Sequence, residues 1–194
     1  MPSHKIHLSI AKEINKKLKL NDDAILLGSV LPDLTIEQDH RLSHFQFGDE
    51  YPKNLANADE FIKKYPNMKD DISIGYIIHL LTDRFYNDVY YHTDIDGIEH
   101  NKYFKHSLFD SYDNYLLKQG NVSKINSKQI INNIPNYRDI TFDMNYLNEY
   151  IDKLNNDIDN TKIKKNYSIE YQDFLDKLYN DCLNYIIGII DDYR

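Results

Sequence analysis

His79 and Asp83 stand four residues apart in GYIIHLLTDRFYNDVYYHT, residues 75 to 93. On an α-helix that spacing puts them about 40° apart around the axis, on one face. His106 and Asp110 repeat the spacing further along the chain. A metal ion needs convergent donors, and an i, i+4 pair supplies two from one rigid element. Imidazole with carboxylate, and no thiolate, suits zinc and other borderline or harder divalent ions. The Ile, Leu and Tyr residues around His79 and Asp83 read as a buried helix. Burying a carboxylate without a partner is costly, and a shared metal ion is one partner that would hold Asp83 there.

Other donors are scattered in sequence. All eight histidines precede residue 107. Asp33, in LLGSVLPDL, follows a proline that stops a helix, and its simplest reading is a solvated turn residue. His44, in RLSHFQ, reads by itself as a half-buried side chain. His7 lies beside Ile6 and Ile10 on the apolar stripe of the first helix. A lone histidine there is more often a satisfied core residue than a ligand.

These residues need rigid elements to bring them together, and the chain reads as all-α. Ser3 is placed to cap a helix to about Leu18, with Ile6, Ile10, Ile14 and Leu18 at i, i+4. Asn21 caps a second helix, DDAILLGSVL, stopped by Pro32. Residues 33 to 53 are irregular, with a short helical turn near HRLSHF. NLANADEFIKKY is helical up to Pro66. Asp70 caps a central helix over about 71–91. The pattern breaks at Gly97 and resumes near 100–118. KQGNVSKINS is a loop, 127–133 a short helix, and FDMNYLNEYIDKLNNDI a helix. A long C-terminal helix carries Tyr171, Phe174, Leu175, Leu178, Cys182 and Tyr185 at helical spacings. With only 6 Gly and 5 Pro in 194 residues there is little material for the many turns of a sandwich or barrel. The expectation is one domain, 1–194, a bundle of about seven to nine helices. The metal-site half would span about 1–110 and packing helices about 111–194.

Taken in order, IHLSIAKEI, LLGSVLPDL, SHF, GYIIHLLTD and then H…HSLFD resemble the bacterial zinc-dependent phospholipase C family. They are also similar to the related zinc nucleases that prefer single strands. Both families are all-α with a zinc cluster between helices, and the resemblance covers roughly residues 1 to 110. It implies that Asp33, His44, His79 and Asp83 bind one zinc. Asp83 would bridge to a second, which also takes His7. His92, His106 and Asp110 would hold a third, with His100 competing for the place of His92. Roughly two or three ions are expected, with Asp33 and Asp83 at the reacting centre. In that family, water activated between the close pair attacks phosphorus, and the third ion stabilises the leaving oxygen. The secreted members also use a processed N-terminal residue as a ligand. Here Pro2, exposed by loss of Met1, or His4, one turn before His7, would fill that place.

The remaining features bound the function. The net charge of −8 disfavours long nucleic acid, whose binders grip phosphates with a basic surface. Of the partners that the resemblance implies, a phosphoester small molecule or a lipid headgroup is then the expected one. The lone Cys182 excludes an intramolecular disulfide and reads as a small buried hydrophobe. The N-terminus carries no signal-like apolar run, and no run reaches the about 18 residues of a membrane span. Those absences point to the cytoplasm. The contrasting function is a non-catalytic helical module with a vestigial metal site. Zinc content discriminates between the two. A third class, helical metallohydrolases with adjacent His-Asp pairs, is disfavoured because no HD dipeptide occurs.

Overall fold

The helical periods of the sequence become helices wherever the chain is described. The computed structural model describes residues 2–36, 40–92, 112–126, 128–160 and 172–194. Among the described residues there are eight α-helices and no strand. They are α1 (His4–Leu18), α2 (Asp22–Gly28), α3 (His40–His44), α4 (Ala58–Lys64), α5 (Asp71–His92), α6 (residues 112–118), α7 (Met144–Asn160) and α8 (Gln172–Ile189). Short 3-10 turns cover Leu31–Leu34, Lys128–Asn133 and Ile190–Tyr193. The expected break at Gly97, and Tyr171 of the C-terminal stripe, lie outside the described residues.

Helix starts follow from side chains that take up free amides. Ser3 Oγ accepts from Ile6 N at 3.2 Å, and Asn21 Oδ1 from Ala24 N at 3.0 Å. Asp70 Oδ1 accepts from Ser73 N at 3.0 Å, opening α5 where the sequence placed it. Caps of this kind are worth about 1 kcal/mol each against alanine. Two of the boundaries that differ from expectation have a local cause. Helix α4 begins at Ala58 rather than near Asn54, because Asn57 Oδ1 accepts from Glu60 N and starts the helix there. Helix α2 ends at Gly28, four residues before Pro32. The amide of Val30 turns back to Leu27 O at 3.1 Å, an i to i−3 bond. Pro32 then sits in the first residues of a 3-10 turn, where its missing N–H costs nothing.

Helix α5 is the axis of the core. It crosses α2 at two glycines. A Cβ on Gly28 would lie 2.1 Å from Ile72 O, and one on Gly75 would lie 2.4 Å from Ile25 O. Backbone touches backbone there, so no larger side chain fits. Helices α1 and α8 pack on α5 as well. The C-terminal stripe behaves as expected: Leu175, Leu178, Cys182 and Ile186 are buried, with Phe174 and Tyr185 partly so. Cys182 is a free, buried thiol, and burial pushes its pKa up.

Candidate metal centre

The α2–α5 crossing sets the first piece of the site. His79 lies one turn beyond Gly75, and Ser29 directly follows Gly28. The close approach lets His79 Nδ1 donate to Ser29 O at 2.8 Å. A carbonyl can only accept, so Nδ1 carries the hydrogen and Nε2 is the free ring nitrogen. His44, at the end of α3, is held the same way, with Nδ1 donating to His40 O at 2.8 Å. The two Nε2 atoms face each other at 3.1 Å. Two lone pairs at that distance require a proton or a cation between them.

Carboxylates surround this pair. Asp33 Oδ1, from the 3-10 turn, lies 3.3 Å from His44 Nε2 and 3.9 Å from His79 Nε2. Asp83 Oδ2, one turn along α5 from His79, lies 3.4 Å from His44 Nε2 and 3.8 Å from His79 Nε2. The other oxygen of Asp83, Oδ1, is 3.3 Å from His7 Nε2 on α1. The His7 ring stacks on that of His79, centroids 4.0 Å apart and 9° from parallel. His7, His44, His79 and Asp83 are all fully buried. His7 Nδ1 and Nε2, Asp33 Oδ1 and both Asp83 oxygens have no hydrogen-bond partner among the described residues. Donor atoms of His7, His79 and Asp83 lie within 4.8 Å of one another, as do those of Asp33, His40 and His44.

Thus five of the expected site residues, His7, Asp33, His44, His79 and Asp83, come from four separate segments to one place. The backbone at His92 ends α5, but its side chain is outside the description; His100, His106 and Asp110 lie outside the described residues. His4 does not reach the His7 side. Its Nε2 donates to Asp33 Oδ2 at 2.9 Å instead. Pro2 is buried. Two participants went unread in the sequence. His40 supplies a carbonyl to His44 and brings its own Nδ1 to 3.9 Å from Asp33 Oδ1. Ser29 supplies a carbonyl to His79. Main-chain acceptors leave no mark on residue type, so no sequence signal marks them out; the exposed His40 ring at least is a histidine near others.

The electrostatics follow from the packing. Burial opposes charge on His44, but the carboxylates of Asp33 and Asp83 beside it outweigh that and push its pKa up to about 10. Burial and the neighbouring His7 lower His79 to about 3. Burial works to raise the carboxyls of Asp33 and Asp83. The surrounding histidines win, and both lie well below the usual carboxylate range. Without a cation, the single proton on His44 must serve several acceptors at once.

The family described as zinc dependent phospholipase C matches residues 3–188. The chain belongs to this family. No curated protein and no solved structure matches it. The family match runs past residue 110, where the motifs recognised in the sequence stop, through α7 and into α8. The residues present fit the zinc that the family name implies. The donor set is imidazole and carboxylate, the orphaned atoms converge, and both oriented histidines donate their outer N–H to carbonyls, the usual arrangement around ligating histidine. No helix among the described residues is long and apolar enough to cross a membrane.

Proposed function

We propose that the protein is a zinc-dependent phosphoesterase of the phospholipase C type, cleaving a phosphoester in a lipid headgroup or a small molecule. The observation that carries this is the convergence of buried donors without partners. A buried carboxylate with neither oxygen hydrogen-bonded costs several kcal/mol as a structural feature. A cation removes that cost.

The assigned ligands are Asp33, His44, His79 and Asp83 at one position and His7 with Asp83 at a second. The two oxygens of Asp83 support the bridging role, since Oδ1 faces His7 and Oδ2 faces His44 and His79. His92, His106 and Asp110 complete the proposed set. Ser29 O and His40 O fix the tautomers that aim His79 Nε2 and His44 Nε2 inward. The buried apolar residues of α1 and α5 around the site strengthen the charge interactions inside. Bound zinc supplies a water of lowered pKa and positive charge that stabilises the attacking and departing oxygens of a phosphoester. Asp33 and Asp83 set the charge of the reacting centre.

The test is metal analysis of protein purified without added metal, run beside a screen of phosphomonoesters, phosphodiesters and phospholipids. Bound zinc with hydrolysis of one of these classes is expected. A chain that carries no zinc and takes none up overturns the proposal.

A further inference from the structure

Helix α7 sends one side chain to the site. Tyr150 OH hydrogen-bonds His4 Nδ1, across 146 positions of sequence. The two rings meet edge to face, centroids 5.3 Å apart at 87°. The other nitrogen of His4, Nε2, lies 2.9 Å from Asp33 Oδ2. A carboxylate only accepts, so Nε2 carries a hydrogen and donates it. With Tyr150 O–H donating to Nδ1, the donors run in one direction: Tyr150 to His4 to Asp33. This leaves Asp33 asymmetric. Oδ2 is tied outward, while Oδ1 has no hydrogen-bond partner among the described residues and lies 3.3 Å from His44 Nε2.

We propose that His4 and Tyr150 are positioning residues that clamp Asp33 so that a single oxygen, Oδ1, is offered to metal. This rests on the proposed zinc site. Asp33 stands on a short 3-10 turn rather than on a long helix, so its own backbone constrains the carboxylate less than α5 constrains Asp83. The clamp supplies the missing rigidity from α1 and α7. Helix α7 then does more than cover the core: it sets how tightly the site holds its ion. Partners of this outer kind fix ligand orientation in metal sites generally.

The test uses the full chain and the metal alone. Zinc affinity is measured by competition with a chromophoric chelator, and ligand geometry by the visible bands of the cobalt-loaded protein. Melting of the metal-free forms is followed alongside. His4→Ala is expected to weaken zinc about 10–100-fold and to shift the cobalt bands. Tyr150→Phe keeps the ring contact and removes only the hydroxyl, so about a fivefold loss is expected, with the metal-free protein still melting cooperatively as a folded chain. In the His4→Ala background, Tyr150→Phe adds nothing, because Tyr150 acts only through His4. His4→Gln, which can still donate to Oδ2, recovers part of the affinity. Zinc affinity within twofold of wild type and unmoved cobalt bands in both His4→Ala and Tyr150→Phe overturn the clamp alone. A wild-type chain that binds no zinc overturns the clamp and the zinc reading together.

Discussion

Helix α5 carries two buried polar clusters, and they are built on opposite rules. At its N-terminal end, Ser73 donates from N to Asp70 Oδ1 at 3.0 Å and from Oγ to Asp70 Oδ2 at 2.7 Å. Ser73 Oγ also pairs with Tyr137 OH at 3.0 Å, and Tyr76 OH donates to Ser43 O at 2.6 Å. Ser73, Tyr76 and Tyr137 are as buried as anything in the molecule. Here the chain supplies a partner for each of these four side chains, Asp70, Ser73, Tyr76 and Tyr137. One to three turns on, His79 and Asp83 are equally buried, yet both Asp83 oxygens and both His7 nitrogens lack one. Native interiors rarely leave such groups unpaired. The contrast teaches that burial alone does not distinguish a structural polar group from a functional one. The distinguishing fact is whether the fold completes its hydrogen bonds.

The largest test removes the incomplete cluster. Asp83→Ala and His79→Ala are each expected to lose zinc and hydrolytic activity. They should also lose the stabilisation by metal, about 4 kcal/mol when zinc is a thousandfold above its dissociation constant. Unchanged zinc content in both variants would falsify the ligand assignment. Gly28→Ala attacks the crossing that brings Ser29 O to His79. Its Cβ would meet backbone atoms that cannot swing aside, so a loss of roughly 1–3 kcal/mol or more is expected in chemical denaturation, with weaker zinc binding. A variant as stable as wild type would show that the helices separate at no cost. Ser73→Ala addresses the completed cluster. It should cost about 1–3 kcal/mol by leaving the buried Tyr137 hydroxyl short of a partner, with zinc content intact. Zinc loss in this variant would erase the distinction between the two ends of α5.

Much of the incomplete cluster was legible because it is local. The i, i+4 spacing of His79 and Asp83 fixes their shared face whatever the tertiary structure, and Ser3, Asn21 and Asp70 cap by rules that act over three residues. Asp33 and His44 were legible only as members of an ordered series, since nothing near either residue says that they meet. Pro32 looks like the stop of α2, whereas the helix ends at Gly28, where it meets α5, and the chain tightens there through the Val30 to Leu27 bond. The His4–Tyr150 contact was invisible. It joins residues 146 positions apart, and neither side chain carries a local pattern.

The proton on His44 offers a smaller, continuous test. Its folded pKa lies at about 10, above the ordinary 6.5. In metal-free protein its contribution to stability is therefore full below 6.5 and is lost as pH rises through about 10. Zinc must displace that proton, so zinc affinity should climb about tenfold per pH unit across this window. His79, lowered to about 3, has no proton on Nε2 to give up in that range. Calorimetry in two buffers of different ionisation heat, near neutral pH, should report proton release from His44 on zinc binding. No release would mean that the ion does not engage His44.

The smallest expected effect marks the edge of the cluster. His40 is grouped with Asp33 and His44 by distance, but its side chain is 58% exposed and its Nδ1 is 3.9 Å from Asp33 Oδ1. What it gives the site is a carbonyl to His44 Nδ1, and alanine retains that carbonyl. A half-solvated ring at that distance contributes little to a neighbouring carboxylate, so His40→Ala should change zinc affinity by about twofold or less. A tenfold loss would instead make the His40 ring a ligand. The incomplete cluster would then reach the surface, and exposure would no longer separate its ligands from their supports.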